Sequence, residues 1–228
     1  MSKPEKTVSA DERFTPALGR AGLTGAYDFA IRLLTRERLW RTALLGQVAP
    51  RNGETILDVG CGTGSFALLM KGRAPDARII GLDPDADVLH RAEAKARRAG
   101  VEIEWRQGFA SDAATLGARF DKTVSSLVFH QVPLAGKRSG IAAMAAALKP
   151  GGELHIADYA AQTSPLMRSL FRLTVQRLDG FADTQPNAEG AIEAILADLA
   201  GGPVAPLRAI PTLTGAISLF LLQAPKNL

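Results

Sequence analysis

Between residues 56 and 66 the chain reads Ile-Leu-Asp-Val-Gly-Cys-Gly-Thr-Gly-Ser-Phe. An apolar run breaks directly into glycines at 60, 62 and 64, and these lead into a helical pattern over residues 66–70. A buried strand, a turn free to adopt positive φ and a helix that starts on the turn make the first βα unit of a parallel sheet, and the missing Cβ atoms let backbone approach a ligand closely. The spacing is G-x-G-x-G. The third glycine of the dinucleotide fingerprint G-x-G-x-x-G would fall on Ser65, and no G-x-x-x-x-G-K-[S/T] phosphate loop is present. Nineteen residues beyond Gly64, the run Ile79-Ile80-Gly81-Leu82 ends in Asp83. A carboxylate ending the second strand of such a sheet lies beside the glycine loop and can accept both hydroxyls of a ribose. Taken singly, a glycine turn is a tight turn and an Asp after a strand is a helix N-cap; in this order they imply a nucleoside ligand.

From Ile56 onward, short apolar runs alternate with longer helical ones, which argues for a parallel sheet covered by helices. Strands are expected at Thr55–Val59, 77–82, 102–106, 122–129 and 153–158, with two more strand-like stretches at 204–210 and 215–222 closing the sheet as a hairpin. The helix over 86–99 puts Leu89, Ala92, Ala96 and Ala99 on one face, its charges elsewhere, and ends at Gly100. Ile141, Met144, Ala145 and Leu148 repeat at helical spacing before Lys149-Pro150-Gly151-Gly152 breaks the helix. A further helix is expected over 188–199. Two amphipathic helices lie outside the alternation, at 27–48 and 165–178, the second within an insertion at 160–185. Together they can act as a lid over the sheet's C-terminal edge, as core packing or as a dimer surface. Residues 1–15 read as a flexible arm and 16–228 as one domain.

A net charge of +4, from 27 basic and 23 acidic residues, is too small to imply a nucleic-acid partner. The single cysteine, Cys61, excludes an internal disulfide and a multi-thiolate zinc site. No run approaches the ~18 apolar residues of a membrane span, and no signal peptide is evident. A cytoplasmic protein without a metal site is the expectation.

The loop and its acid resemble the first two motifs of class I S-adenosylmethionine-dependent methyltransferases, [D/E]-x-G-x-G-x-G followed by an acid ending the second strand. Leu57–Gly64, Phe120-Asp121 and Leu148-Lys149-Pro150-Gly151-Gly152 are most similar to the branch of ubiquinone/menaquinone-biosynthesis C-methyltransferases. That resemblance implies a Rossmann-like α/β fold, a seven-stranded sheet with helices on both faces, and S-adenosylmethionine as cofactor. It places Asp58 near the methionine amino end, Gly60, Cys61, Gly62 and Gly64 in the loop, Asp83 on the ribose and Pro84 beside the adenine. Tyr27 matches an aromatic that touches the methionine moiety, or is a plain core tyrosine. Where relatives have Gly-Asp-Ala after the third strand, this chain has Gly108-Phe109-Ala110; adenine recognition then falls to Phe109 and Ala110, or to Ser111 or Asp112.

Methyl transfer is an in-line displacement, so the protein has mainly to align the reactants and exclude water. Ligands of open parallel sheets bind beyond the strands' carboxyl ends. That directs attention to Ser125 on the cofactor side and, for the acceptor, to His130 as a base or a structural hydrogen-bonding group, with Asp158 and Tyr159 ending the fifth strand. No Pro-Pro follows the fourth strand and no cysteine is placed as a nucleophile, so the chemistries that methylate nucleic-acid bases recede. The expected reaction is methylation of a small hydrophobic or aromatic molecule. An RNA or protein methyltransferase and a non-catalytic cofactor-binding regulator remain as alternatives, and oligomeric state is open.

Overall fold

The computed structural model describes residues 35–226. Tyr27, the arm at 1–15 and the first part of the helix expected over 27–48 lie outside the described residues. Within them the elements run α1 (Glu37–Val48), β1 (Thr55–Val59), α2 (Ser65–Arg73), β2 (Arg78–Asp83), α3 (Ala86–Arg98), β3 (Glu104–Gln107), β4 (Phe120–Ser126), α4 (Leu134–Ala146), β5 (Leu148–Tyr159), α5 (Pro165–Leu173), α6 (Val175–Asp179), α7 (Phe181–Ala188), α8 (Ala191–Ala200), β6 (Arg208–Thr212) and β7 (Gly215–Gln223). Short 3-10 turns fill Ala110–Thr115 and Phe129–Gln131.

The seven strands form one sheet in the order β3-β2-β1-β4-β5-β7-β6. Strands β1 to β5 pair in parallel, and β7 runs antiparallel between β5 and β6. Because successive strand residues point to opposite faces, Ile56 and Val124 join Trp40, Phe66, Met70 and Phe171 on one side, while Leu57, Val59 and Ile156 join Phe129, Ile141 and Ile195 on the other. Two apolar layers follow, and burying large side chains such as these contributes roughly 1.5–3 kcal/mol each. Chain order reverses between β1 and β4, which opens the crevice where sheets of this kind take ligands.

Sequence periodicity located these elements, and local chemistry moved their ends. Asp85 caps α3, its carboxylate accepting from the N–H groups of Asp87 (2.9 Å) and Val88 (3.4 Å). β4 stops at Ser126 rather than running to 129, because Leu127 sits at φ 55° and cannot continue a strand. The helix expected over 165–178 divides at Thr174, whose hydroxyl donates to Leu170 O at 2.6 Å. Phe181–Ala188 then forms a helix that was not expected, ahead of α8, which matches the helix expected over 188–199. β6 starts at Arg208, later than the expected 204.

Candidate active site

Val59 delivers the chain into three left-handed glycines, Gly60 (φ 67°), Gly62 (φ 51°) and Gly64 (φ 70°). The space left by each missing Cβ is used differently. A Cβ at Gly60 would lie 2.3 Å from the Val128 side chain, and one at Gly64 would lie 2.5 Å from Trp105. Only at Gly62 does the position face open space. Two of the glycines therefore serve close packing against β3 and the turn after β4, and the middle one presents bare backbone. The N–H groups of Gly60 and Cys61 donate to Leu82 O at 2.8 and 3.1 Å, tying the loop to the end of β2.

Asp83, the last residue of β2, accepts one N–H on each oxygen, Gly62 N–H at 2.8 Å and Asp85 N–H at 3.0 Å. A carboxylate oxygen has room for a second donor, so a pair of acceptors remains for vicinal hydroxyls. Burial raises the Asp83 pKa, and those two backbone N–H groups pull it back.

Asp58, directly before the loop, is in the opposite condition. It is 1% exposed, and among the described residues neither carboxylate oxygen has a close hydrogen-bond donor, the Ala67 N–H being the one backbone group that lowers its pKa. Burial pushes its pKa up to about 7; the Arg41 guanidinium lowers it and the nearby Asp83 raises it further. A buried carboxylate left unpaired costs free energy unless a donor arrives, and a cation or ammonium placed beside the loop would supply one.

A cavity of about 330 Å³ lies over these groups. The loop and Phe66 form one wall, and Asp83, Pro84, Phe109, Ala110 and Ser111 form another. Ser126, Leu127, Val128, Gln131 and Ser139 line the far side, with Arg41 at the edge. Arg41 itself pairs with Glu37 at 2.5 Å. A larger depression of about 580 Å³ beside β3 contains none of the loop and is walled by charges already paired with one another, Arg78 with Glu104 and Arg97 with Glu93.

On the acceptor side, Asp158 is fully buried and accepts four bonds. Its Oδ2 takes the N–H groups of Val128 (3.0 Å) and Phe129 (2.7 Å), and Oδ1 takes Tyr159 N–H (2.8 Å) and His130 Nδ1 (2.7 Å). The carboxylate thus pins the whole turn after β4. Burial pulls the His130 pKa down, but Asp158 by charge and hydrogen bond, with Asp179 near Nε2 at 3.5 Å, more than offsets it and holds the imidazolium up at about 9. The Tyr159 ring meets His130 edge-on at 5.2 Å, and its hydroxyl bonds that of Thr214 at 2.5 Å.

The structure therefore brings Gly60, Cys61, Gly62, Asp83, Pro84, Phe109 and Ala110 to the cavity wall. It places Asp58 behind that wall and turns Gly64 against Trp105. Ser125 is buried within the sheet, level with Val59 and Ile156, and its neighbour Ser126 lines the cavity instead. Asp112 holds Phe109 N–H at 2.9 Å, while Ser111 reaches the cavity. His130, Asp158 and Tyr159 come together as a buried network outside the cavity wall, which is the structural hydrogen-bonding alternative for His130. Sequence reasoning missed Arg41, Ser126 and Gln131; position next to a singled-out residue was the available signal for the last two.

Comparison with known proteins agrees with this geometry. Residues 56–152 match the family described as a methyltransferase domain. The chain is 30% identical over 178 residues to the demethylmenaquinone methyltransferase of Deinococcus radiodurans, an alignment covering 77% of this chain and 70% of that protein. It is 29% identical to the ubiquinone/menaquinone biosynthesis C-methyltransferase UbiE of Paracoccus denitrificans, over 59% of this chain and 54% of that one. Magnesium protoporphyrin IX methyltransferase from Synechocystis PCC 6803, solved with bound S-adenosylhomocysteine, shares the fold with a TM-score of 0.66 at 17% identity, covering 91% of this chain and 90% of its own. With the glycine loop, the acid that ends β2 and the seven-stranded sheet in place, the chain belongs to the class I S-adenosylmethionine-dependent methyltransferases and resembles their UbiE branch.

Proposed function

We propose that this enzyme methylates a small aromatic acceptor of the quinol type. The observation that carries the reading is the character of the cavity's far wall. Leu127, Val128, Val132 and Pro133 give it apolar surface among the uncharged Ser126, Gln131 and Ser139, and among the described residues the whole cavity lining holds one basic side chain, Arg41, and one acid, Asp83. A flat hydrophobic ring suits such a wall, whereas a nucleic-acid strand needs a track of cations. The names of the relatives, which act in menaquinone and ubiquinone synthesis, support the same class.

The cofactor site fits its ligand in chemistry. Asp58 offers an unpaired carboxylate to the ammonium, Asp83 offers acceptors to the ribose hydroxyls, and Pro84, Phe109 and Ser111 flank the position of the base. When bound, S-adenosylmethionine supplies an activated methyl on a sulfonium and a neutral thioether leaving group. The chain's own work is alignment and exclusion of water: the loop fixes one partner, and the apolar wall holds the ring against it. His130 is charged at neutral pH and bonded to Asp158, so it orders the wall rather than standing as a free base. Helix α5 packs against β7 and α7 against the Phe129–Gln131 turn, and none of residues 160–185 lines the cavity, so a lid role for that insertion needs it to move toward the cavity.

Calorimetry tests the cofactor half. Wild type should bind S-adenosylmethionine, and Asp83→Ala should lose roughly 100-fold in affinity, about 2.7 kcal/mol for two charge-assisted hydrogen bonds. An assay against pooled quinols, phenols, amines and RNA tests the acceptor half. Product from the quinol pool is expected, and product from the RNA pool alone would overturn the reading.

A further inference from the structure

Gln131 stands where the cavity wall meets the buried network. It lines the cavity, and its side-chain amide lies 3.1 Å from His130 Nε2. Which end of that amide faces the cavity is set by what the imidazole needs. Nδ1 lies 2.7 Å from an Asp158 oxygen that can only accept, so Nδ1 carries a proton. Nε2 faces the Asp179 carboxylate at 3.5 Å, a second acceptor on a different element. Two carboxylates on opposite sides of one ring call for protons on both nitrogens. The remaining groups around the ring are Tyr159, edge-on, and the buried Lys137 of α4, whose ammonium donates to the carbonyl oxygens of Phe129, Val132 (2.5 Å) and Asp183 (2.8 Å). Its nitrogen is spent on those carbonyls.

With Nε2–H a donor, an amide NH2 turned toward it would set donor against donor. The amide must offer its oxygen instead, and rotation about its last bond brings that about within the same volume. We infer that Gln131 turns its oxygen to His130 and its NH2 into the cavity, where it donates to an oxygen on the ring of the methyl acceptor, with His130, Asp158 and Asp179 as the positioning groups. The inference rests on the aromatic-acceptor reading and narrows it to rings carrying a hydroxyl, an oxyanion or a carbonyl. A donor there would also stabilise the oxyanion of a deprotonated quinol, the form whose ring carbon is nucleophilic.

Two measurements test it on the full chain. In nitrogen-15 NMR at neutral pH both ring nitrogens of His130 should be protonated; a bare Nε2 would reverse the amide and overturn the inference. In the second, the protein loaded with S-adenosylhomocysteine is titrated with 2-hydroxy-1,4-naphthoquinone and with naphthalene. Wild type should prefer the oxygenated ring by about tenfold or more, and Gln131→Leu and Gln131→Glu should abolish the preference. S-adenosylhomocysteine affinity, the internal control, should move less than about twofold. A preference kept by both variants sinks the role of Gln131 and leaves the aromatic-acceptor reading standing. Binding of neither ring by wild type sinks that reading, and the inference with it.

Discussion

Asp58 and Asp158 are both buried aspartates near the carboxyl ends of strands in one sheet, separated only by β4. Asp158 accepts four hydrogen bonds and fixes the turn after β4. Asp58 accepts none. The same side chain is thus a structural anchor in one place and an open valence in the other, and what separates them is whether the chain supplies the donors. At the acceptor side the protein completes its own network. Beside the glycine loop it leaves the Asp58 carboxylate short of donors, and on the function proposed above the ligand's ammonium completes the set.

That contrast has opposite consequences for stability and binding. Asp158→Ala should be the most damaging change, because it strands an imidazolium and three backbone N–H groups at once. A loss of about 3–5 kcal/mol in urea unfolding is expected. A loss under about 1 kcal/mol would mean that the turn after β4 holds itself.

Asp58→Asn should behave the other way. At about pH 4, where the folded protein keeps this carboxyl neutral, the amide leaves unfolding free energy within about 1 kcal/mol of wild type. Cofactor affinity by calorimetry should fall about tenfold, as an ammonium loses its counter-charge. If Asp58→Asn instead destabilises the free protein as strongly as Asp158→Ala, the carboxylate is an anchor after all and the comparison collapses.

The two sites were unequally legible in sequence. The glycine loop, Asp58 and Asp83 lie within 26 residues and report one local geometry, strand to turn to helix to strand, so a nucleoside beside Asp83 was expected from order alone, while the place of Asp58 came from the family resemblance. The Asp158 network could not be read that way. It joins residues 28 apart across β4 and β5, and its closure depends on Leu127 adopting φ 55° to bring Val128, Phe129 and His130 over the carboxylate. Ser126 rather than Ser125 lines the cavity at the point where β4 ends, and a strand expected to run to 129 hides that end. Arg41 reaches the cavity from a helix ahead of the sheet, a placement set by the packing of Trp40 and Leu44 rather than by any motif.

The most gradual expected effect is also the one that separates the two sites by pH. Asp58 has its pKa raised from 3.8 to about 7, so between those values the folded state holds more protons than the unfolded one, and stability falls as pH rises through that window. His130 is raised from 6.5 to about 9; its contribution is complete below 6.5 and is lost as pH rises through 9. Each slope is at most about 1.4 kcal/mol per pH unit. Unfolding free energies of wild type minus Asp58→Asn should therefore change mainly below neutrality, and those of wild type minus His130→Gln mainly above it. Saturating S-adenosylmethionine should flatten the first difference, because an ammonium beside Asp58 favours its ionised form, and should leave the second untouched. If ligand flattens both, the cofactor also draws on the His130 network, and the line between the open site and the closed one is in the wrong place.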